Sequence, residues 1–106
     1  MIYLMSALLC VAQVASSNTM TASWYNQGRI TASGERFNPK HFTAAHKSLP
    51  FGTKIKLQYK DRQVEVRVTD RGPFVKGRHI DISQGAAQAL KFTGVGKVEV
   101  LAITKP

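Results

Sequence analysis

The central part of the sequence reads Val64-Glu65-Val66-Arg67-Val68-Thr69-Asp70-Arg71-Gly72-Pro73-Phe74, an alternating segment that runs directly into a carboxylate and a Gly-Pro turn. The valines fall on one face at the two-residue period of a strand, and the polar residues fall on the other. Asp70 continues the valine parity, so the alternation predicts that its carboxyl group lies on the core side at the strand end. Partial removal from water would suit that group to donating a proton. The alternative is that Asp70 belongs to an ordinary turn, since Asp, Gly and Pro are typical turn residues.

Short alternating runs and frequent turn residues continue on both sides of this segment and predict a compact all-β domain. We expect a first strand over 21–25, a polar loop over 31–39 and a further strand over 54–59. A hairpin turn through Lys60, Asp61 and Arg62 should join that strand to the valine strand. Ser83 is a good N-cap for a short helix that ends near Gly94 and Gly96. From Val100 on, the last segment is apolar on both faces, which predicts a strand deep inside a small barrel.

The N-terminal segment has the character of an export signal. Residues 1–14 are almost entirely apolar, and Val14-Ala15-Ser16 supplies the small residues that a signal peptidase accepts. We therefore expect a leader over 1–17 and one domain over 18–106; a buried N-terminal strand or helix is the alternative. Cys10 is the only cysteine, so an internal disulfide is impossible. A membrane link is expected only if Cys10 carries a lipid, although Leu9 is larger than the residue that normally precedes a lipidated cysteine.

The chain is strongly basic, with 15 Lys and Arg against six Asp and Glu and a net charge of +9. Such a balance predicts a polyanionic partner, which could be nucleic acid, an acidic membrane surface or a carboxylate-bearing cell-wall glycan. Export argues against nucleic acid. The three histidines, His41, His46 and His79, do not have the spacing of metal ligands on one element. No metal and no cofactor are therefore expected, and we expect a monomer.

Several segments together resemble one family, the rare lipoprotein A (RlpA) type of double-psi β-barrel domain. The resemblance covers about 22–103 and rests on five segments in order: Ala22-Ser23-Trp24-Tyr25, Thr31-Ala32-Ser33-Gly34-Glu35-Arg36-Phe37-Asn38, Thr43-Ala44-Ala45-His46-Lys47-Ser48-Leu49-Pro50-Phe51-Gly52-Thr53, Asp70-Arg71-Gly72-Pro73-Phe74 and Ile80-Asp81-Ile82-Ser83.

The resemblance implies an all-β, six-stranded double-psi β-barrel with one or two short helices. It also implies export to the periplasm or cell envelope and action on peptidoglycan. Characterised members are lytic transglycosylases that cut glycan strands lacking stem peptides and leave 1,6-anhydro-muramic ends. Similar barrels occur in expansins, which loosen walls without cutting a bond, so the fold alone does not establish catalysis. A non-catalytic, expansin-like wall-binding or wall-loosening module is therefore the alternative.

Matched to the family motif, Asp70 corresponds to the general acid/base, and Glu35 and His46 correspond to two further residues that the family is thought to require. Glu35 would stabilise developing positive charge or orient substrate, and His46 could hydrogen-bond Asp70 or a sugar hydroxyl. Asp81 either has a functional role, as in expansin-like relatives, or caps the helix near Ser83.

Five further side chains are candidates for substrate binding. Arg71 and Arg78 suit the lactyl carboxylates of muramic acid through bidentate hydrogen bonds, although exposed arginines are often only solvated. Tyr25 and Phe74 could stack on sugar faces. Trp24 could do the same, and core packing is its alternative.

Overall fold

The computed structural model describes residues 18–106, which form a closed barrel of six strands with one short helix. In chain order the elements are β1 (Thr19–Tyr25), β2 (Thr43–His46), β3 (Lys54–Tyr59), β4 (Arg62–Asp70), β5 (Ile80–Ser83), α1 (Gln84–Leu90) and β6 (Gly96–Thr104). The order around the barrel is β1-β5-β2-β4-β3-β6, and β6 closes onto β1. The predicted all-β, six-stranded barrel is thereby confirmed. The predicted leader and Cys10 lie outside the described residues.

Two pairs of neighbouring strands are parallel, β1 with β5 and β2 with β4, and the other neighbours are antiparallel. The predicted hairpin joins β3 to β4 and pairs Tyr59 with Arg62. The interior is filled by the aliphatic residues that alternate along the strands, together with one face of α1: Ile55, Leu57, Val66, Val68, Ile80, Ile82, Ala86 and Leu90 are all at most 1% exposed. Burial of each large aliphatic side chain contributes roughly 1.5–3 kcal/mol, which holds the strand ends in fixed positions.

A β-bulge at the end of β4 changes the orientation of Asp70. Ala44 on β2 is in register with Val68 on β4. The next residue, Ala45, is in register with Asp70, which leaves Thr69 as an extra residue. Since an extra residue reverses the alternation and register partners project to the same face, Asp70 lies on the face of Ala45 rather than that of Val68. The prediction that Asp70 continues the core-facing valine parity was therefore wrong.

The helix begins where the sequence predicts and ends earlier. Ser83 is its N-cap, and the Ser83 hydroxyl accepts the Ala86 N–H at 3.3 Å. The alternative that Asp81 caps this helix is therefore wrong. The last helical residue is Leu90, because Lys91 adopts a left-handed conformation with φ 55° and closes the C-terminus, so the predicted end near Gly94 was too late.

Strand β6 leaves the core after Val100. Leu101 and Ile103 are 37% and 46% exposed, so the prediction of a strand buried on both faces was wrong for this end. A register shift between Lys56 and Leu57 of the neighbouring β3 leaves Leu101 without a partner and breaks the alternation there. Within residues 18–106, no helix is long and apolar enough to cross a membrane.

Candidate active site

Four residues in register across adjacent strands build one outer face of the barrel. Asp70 on β4 pairs with Ala45 on β2, and Ala45 pairs with Asp81 on β5. Asp81 in turn pairs with Ser23 on β1. Asp70 and Asp81 are therefore two strand spacings apart, about 9.5 Å, with the small Ala45 between them. The barrel thus places the two acids on one strip, in which Ala45 and Ser23 are 4% and 5% exposed.

One carboxylate oxygen of Asp70 is fixed by backbone donors. Asp70 Oδ1 accepts two backbone N–H groups at 2.9 Å each: that of Ala32 and that of Arg71, the residue that follows Asp70. A third backbone bond, from Ser33 N to Thr69 O at 3.0 Å, docks the loop 31–37 on the end of β4. Within residues 18–106, Asp70 Oδ2 forms no hydrogen bond. The carboxyl group is therefore oriented at one oxygen and has the other available to a ligand.

Glu35 lies on that same loop and is paired with β4. Its two carboxylate oxygens accept from Nη1 and Nη2 of Arg67, both at 2.8 Å. This bidentate bond, followed by the positive charge of Arg67, lowers the pKa of Glu35 below its ordinary value. Both side chains are 39% exposed, so the pair is screened by solvent. Glu35 is therefore held in its ionised form by Arg67, which precedes Asp70 by three residues on β4.

His46 ends β2, one residue after the Ala45 that pairs with Asp70. Its Nδ1 accepts the backbone N–H of Ser48 and Leu49, both at 3.1 Å, and no hydrogen bond joins it to Asp70 in the described residues. Burial lowers the pKa of His46, and the positive charge of Arg71 lowers it further. The imidazole is therefore neutral at pH 7, with its proton on Nε2.

Arg71 forms hydrogen bonds with the backbone of the segment 46–49. Its Nη1 donates to the carbonyl oxygens of His46 at 3.1 Å and Leu49 at 2.8 Å. Its guanidinium group lies 4.0 Å from the ring centre of Phe51. These contacts give Arg71 a positioning role at the strand ends. Its predicted role as a ligand for a sugar carboxylate stays a prediction.

Tyr25 closes the strip at the end of β1. Its ring stacks on Phe37 at 4.7 Å between centroids. Burial raises its pKa well above the ordinary value of 10.0, and the negative charges of Asp70 and Asp81 raise it further, while the Thr43 hydroxyl opposes them. In the described part of the chain, neither Tyr25 Oη nor Thr43 Oγ1 has a hydrogen-bond partner. The two hydroxyl groups thus lie beside each other, buried near the two carboxylates.

The remaining predicted residues lie at the margin. Asp81 accepts a hydrogen bond from the Ser23 hydroxyl, which fixes it on the strip. Phe74 is 82% exposed after the Gly72-Pro73 turn, and Arg78 is half-buried without a side-chain hydrogen bond to any residue in 18–106. Trp24 points away from the strip and is 37% exposed. Within residues 18–106, no group of three or more His, Cys, Asp or Glu side chains could hold a metal ion.

Three participants were not identified from the sequence. Arg67 occupies a polar position of β4 that the alternation assigns only to the surface, and the backbone N–H of Ala32 carries no signal at all. The Ser23 hydroxyl is visible only once β1 and β5 are known to be in register. Hydrogen bonds between residues 38 or 58 positions apart depend on topology, which the local pattern does not contain.

Comparison with known proteins identifies relatives over nearly the whole described chain. A family model described as "Lytic transglycolase" matches residues 17–102. The "Probable endolytic peptidoglycan transglycosylase RlpA" of Nostoc sp. is 50% identical over 91 residues, covering 76% of this chain and 24% of that relative. The "Endolytic peptidoglycan transglycosylase RlpA" of Campylobacter jejuni is 43% identical over 95 residues, covering 85% of this chain and 34% of that relative. The chain thus spans about a quarter to a third of the length of these curated relatives.

A solved structure supports the fold independently. The "Streptomyces papain inhibitor (SPI)" superposes with a TM-score of 0.60 at 20% sequence identity, covering 80% of this chain and 94% of that protein. At this level of identity the likeness concerns the barrel alone.

Proposed function

Because the chain belongs to the RlpA-like double-psi β-barrel family of lytic transglycosylases, we propose that it cleaves peptidoglycan glycan strands to 1,6-anhydro-muramic ends, with Asp70 as the general acid/base. The observation that carries the proposal is the Asp70 carboxyl group, held at Oδ1 by two backbone N–H groups while Oδ2 forms no hydrogen bond in the described residues. Glycan that lacks stem peptides is the preferred substrate that the family resemblance implies. Similarity to relatives whose names state this activity supports the same conclusion.

The reaction requires one group that changes role. Protonated Asp70 donates its proton to the glycosidic oxygen as the bond from that oxygen to C1 breaks and an oxocarbenium-like centre develops. The resulting carboxylate then takes the proton from the 6-hydroxyl of the same sugar, whose oxygen bonds to C1 and closes the anhydro ring. Asp70 is thereby protonated again, and no water is consumed. Since Oδ1 already accepts two hydrogen bonds, Oδ2 is the oxygen that exchanges the proton.

The neighbouring groups have roles that follow from their charge. Glu35 is ionised but neutralised by Arg67, so its role is to orient the loop that contacts Asp70 and the substrate. Neutral His46 has Nε2–H available as a hydrogen-bond donor to a sugar oxygen, because Nδ1 accepts from the backbone. The Tyr25 and Thr43 hydroxyl groups are buried, so they contact the substrate only where its binding displaces the side chains that cover them.

The protein acts in the cell envelope under this proposal. The apolar segment 1–14, within the predicted leader 1–17, supports export, and the net charge of +9 supports binding to an acidic wall polymer. We expect a monomer that reaches the periplasm and is attached to a membrane only if Cys10 carries a lipid. Fusion of residues 1–20 to a periplasm-dependent reporter tests export, and a cytoplasmic reporter contradicts it.

The deciding experiment uses peptide-free glycan strands and product analysis by mass. Anhydro-ended fragments support the proposal, water-terminated fragments indicate a hydrolase, and binding without fragments indicates an expansin-like module. Asp70→Asn should abolish cleavage while retaining the circular dichroism spectrum and glycan binding, because an amide keeps the shape but cannot exchange the proton. Asp61→Asn, the same chemical change in the exposed β3–β4 turn, is the matched control and should retain full activity. Full activity in Asp70→Asn would remove Asp70 from this role.

A further inference from the structure

A second concave site lies on the other side of β1 from the Asp70 strip. Its cavity of about 390 Å³ is lined by residues of β1, α1 and the loop that follows: Trp24, Gln84, Ala87, Gln88, Lys91, Phe92 and Thr93. Trp24 and Tyr25 are consecutive on β1, so their side chains project to opposite faces. Tyr25 faces Asp70 and Asp81, whereas Trp24 faces this cavity. The two sites are therefore separated by the thickness of the barrel wall.

The cavity combines an aromatic wall with amide groups. Trp24 is 37% exposed, and Ala87 and Phe92 form an apolar floor that is buried in the barrel. Gln84 and Gln88 are one helical turn apart, so their amides lie side by side on one face of α1. Within residues 18–106, neither amide makes a hydrogen bond. A pyranose fits both the aromatic wall and the amides, because one face of its ring can lie on the Trp24 indole while its polar groups hydrogen-bond to Gln84 and Gln88.

Lys91 gives the site its charge. It is exposed at the C-cap of α1, forms no ion pair with any described residue, and stands beside no acidic side chain in the cavity lining. A single cation on the rim of a neutral cavity selects a ligand with one negative charge. An N-acetylated pyranose bearing a carboxylate has this combination: a ring face, an amide, hydroxyl groups and one anion.

We propose that this cavity binds a single acidic N-acetylated sugar, of the muramic type, as a binding site separate from the Asp70 strip. The choice of this sugar class rests on the proposed action on peptidoglycan. A site across the wall cannot hold the sugar being cleaved, so it would hold a different part of the polymer and keep the domain on the wall between cleavage events.

The chain provides a direct probe and a matched control. Trp24 is the only tryptophan, so its fluorescence reports on this cavity alone. Lys91→Gly removes the cation where glycine adopts the left-handed conformation without strain, so the helix should remain intact. Lys60 has the same conformation, with φ 56°, in the β3–β4 turn and is not part of the cavity lining, so Lys60→Gly is the same change of charge and backbone outside the site.

The experiment titrates the full chain with N-acetylmuramic acid and with N-acetylglucosamine while Trp24 emission is recorded. We expect saturable binding of both, about fivefold tighter for the acidic sugar, and loss of that preference in Lys91→Gly but not in Lys60→Gly. Asp70→Asn should bind as the wild type does. If the chain binds the sugars with this preference but does not cleave glycan, this inference holds and the proposed function is wrong. Cleavage without any change in Trp24 emission, or an unchanged preference in Lys91→Gly, overturns this inference and leaves the proposed function intact.

Discussion

Arg67 binds the Glu35 carboxylate through two parallel hydrogen bonds of 2.8 Å and thereby joins β4 to the loop 31–37. The same loop donates the Ala32 N–H to Asp70 at 2.9 Å. The pair and the Asp70 hydrogen bond therefore anchor one loop at two points, so a change at Arg67 affects the orientation of Asp70 as well as the charge of Glu35.

Arg67→Lys should lower glycan cleavage about tenfold or more, because a lysine ammonium cannot reproduce the two-point bond that positions the loop. Stability should fall by less than about 1 kcal/mol, since the pair is 39% exposed and screened by solvent. Cleavage rates and thermal unfolding measure the two effects. Arg62→Lys, at the far exposed end of β4, is the matched control, and equal rates in the two variants would contradict the positioning role of Arg67.

The pair should also make stability depend on acid pH. Arg67 holds the pKa of Glu35 below its ordinary value of 4.5, so the folded protein retains the charge more strongly than the unfolded chain. Its stabilisation is complete above that value and is lost as pH falls through the lower folded pKa. The melting temperatures of wild type and Arg67→Met, measured between about pH 2 and pH 6, should therefore converge at acid pH. A difference that stays constant or widens on acidification would be incompatible with this pairing.

His46 should remain neutral to a lower pH than an ordinary histidine. Burial and then the charge of Arg71 lower its pKa, and protonation would place a proton on Nδ1, which accepts two backbone N–H groups. The folded pKa lies below the unfolded pKa, so stability is greatest above about 6.5 and is lost as pH falls through that value toward the folded pKa. Nitrogen-15 NMR should show the Nε2–H tautomer at pH 7. Titration of His46 at the same pH in the folded protein and in the urea-unfolded chain would refute the assignment.

The sequence predicted the barrel strands well because alternation and turn residues are local properties. Val64, Val66 and Val68 lie in the core as their period requires, and Ser83 caps the helix. The orientation of Asp70 could not be predicted in this way, since the bulge at Thr69 is visible only in the pairing of β4 with β2. The apolar character of Leu101 and Ile103 was likewise misleading, because burial depends on what covers a strand and not on its own composition.

Family resemblance supplied Asp70, Glu35 and His46 as candidate site residues, whose roles stay predictions, and it did not supply the hydrogen bonds that connect them to the barrel. Asp70, Glu35 and His46 lie at adjoining strand ends and loops, as the motif implied. Their partners, Arg67 for Glu35 and Ser23 for Asp81, depend on register between strands distant in sequence. Local patterns contain no information on such pairs, so a sequence can name the acids of a site without naming the groups that orient them.

Tyr25→Phe should separate activity from stability. The Tyr25 hydroxyl is buried without a hydrogen-bond partner in the described residues, so its removal should leave stability unchanged or raise it slightly. The ring stacking on Phe37 would be retained. Cleavage should fall about tenfold or more if this hydroxyl binds substrate between Asp70 and Asp81. Tyr59→Phe, whose ring packs edge-on against Phe92, is the control, and unchanged activity in Tyr25→Phe would exclude the hydroxyl from catalysis.

Gly85→Ala should destabilise the domain although it lies in a helix, where alanine is normally favoured over glycine by about 1 kcal/mol. Its N–H donates to Pro39 O at 2.7 Å, which brings the loop before β2 against α1. A Cβ at this position would lie 2.4 Å from the backbone oxygen of Lys40, so the loop would have to move. We expect a loss of about 1–3 kcal/mol in the free energy of unfolding.

Gln88→Ala on the exposed side of the same helix is the control for that change. It introduces the same residue without a backbone contact and should leave stability within about 0.5 kcal/mol of wild type. Denaturant unfolding followed by circular dichroism measures both variants. Because the displaced loop leads into β2 and His46, Gly85→Ala should also reduce cleavage at temperatures where it remains folded. A Gly85→Ala protein as stable as Gln88→Ala would show that the loop is not held against the helix in this way.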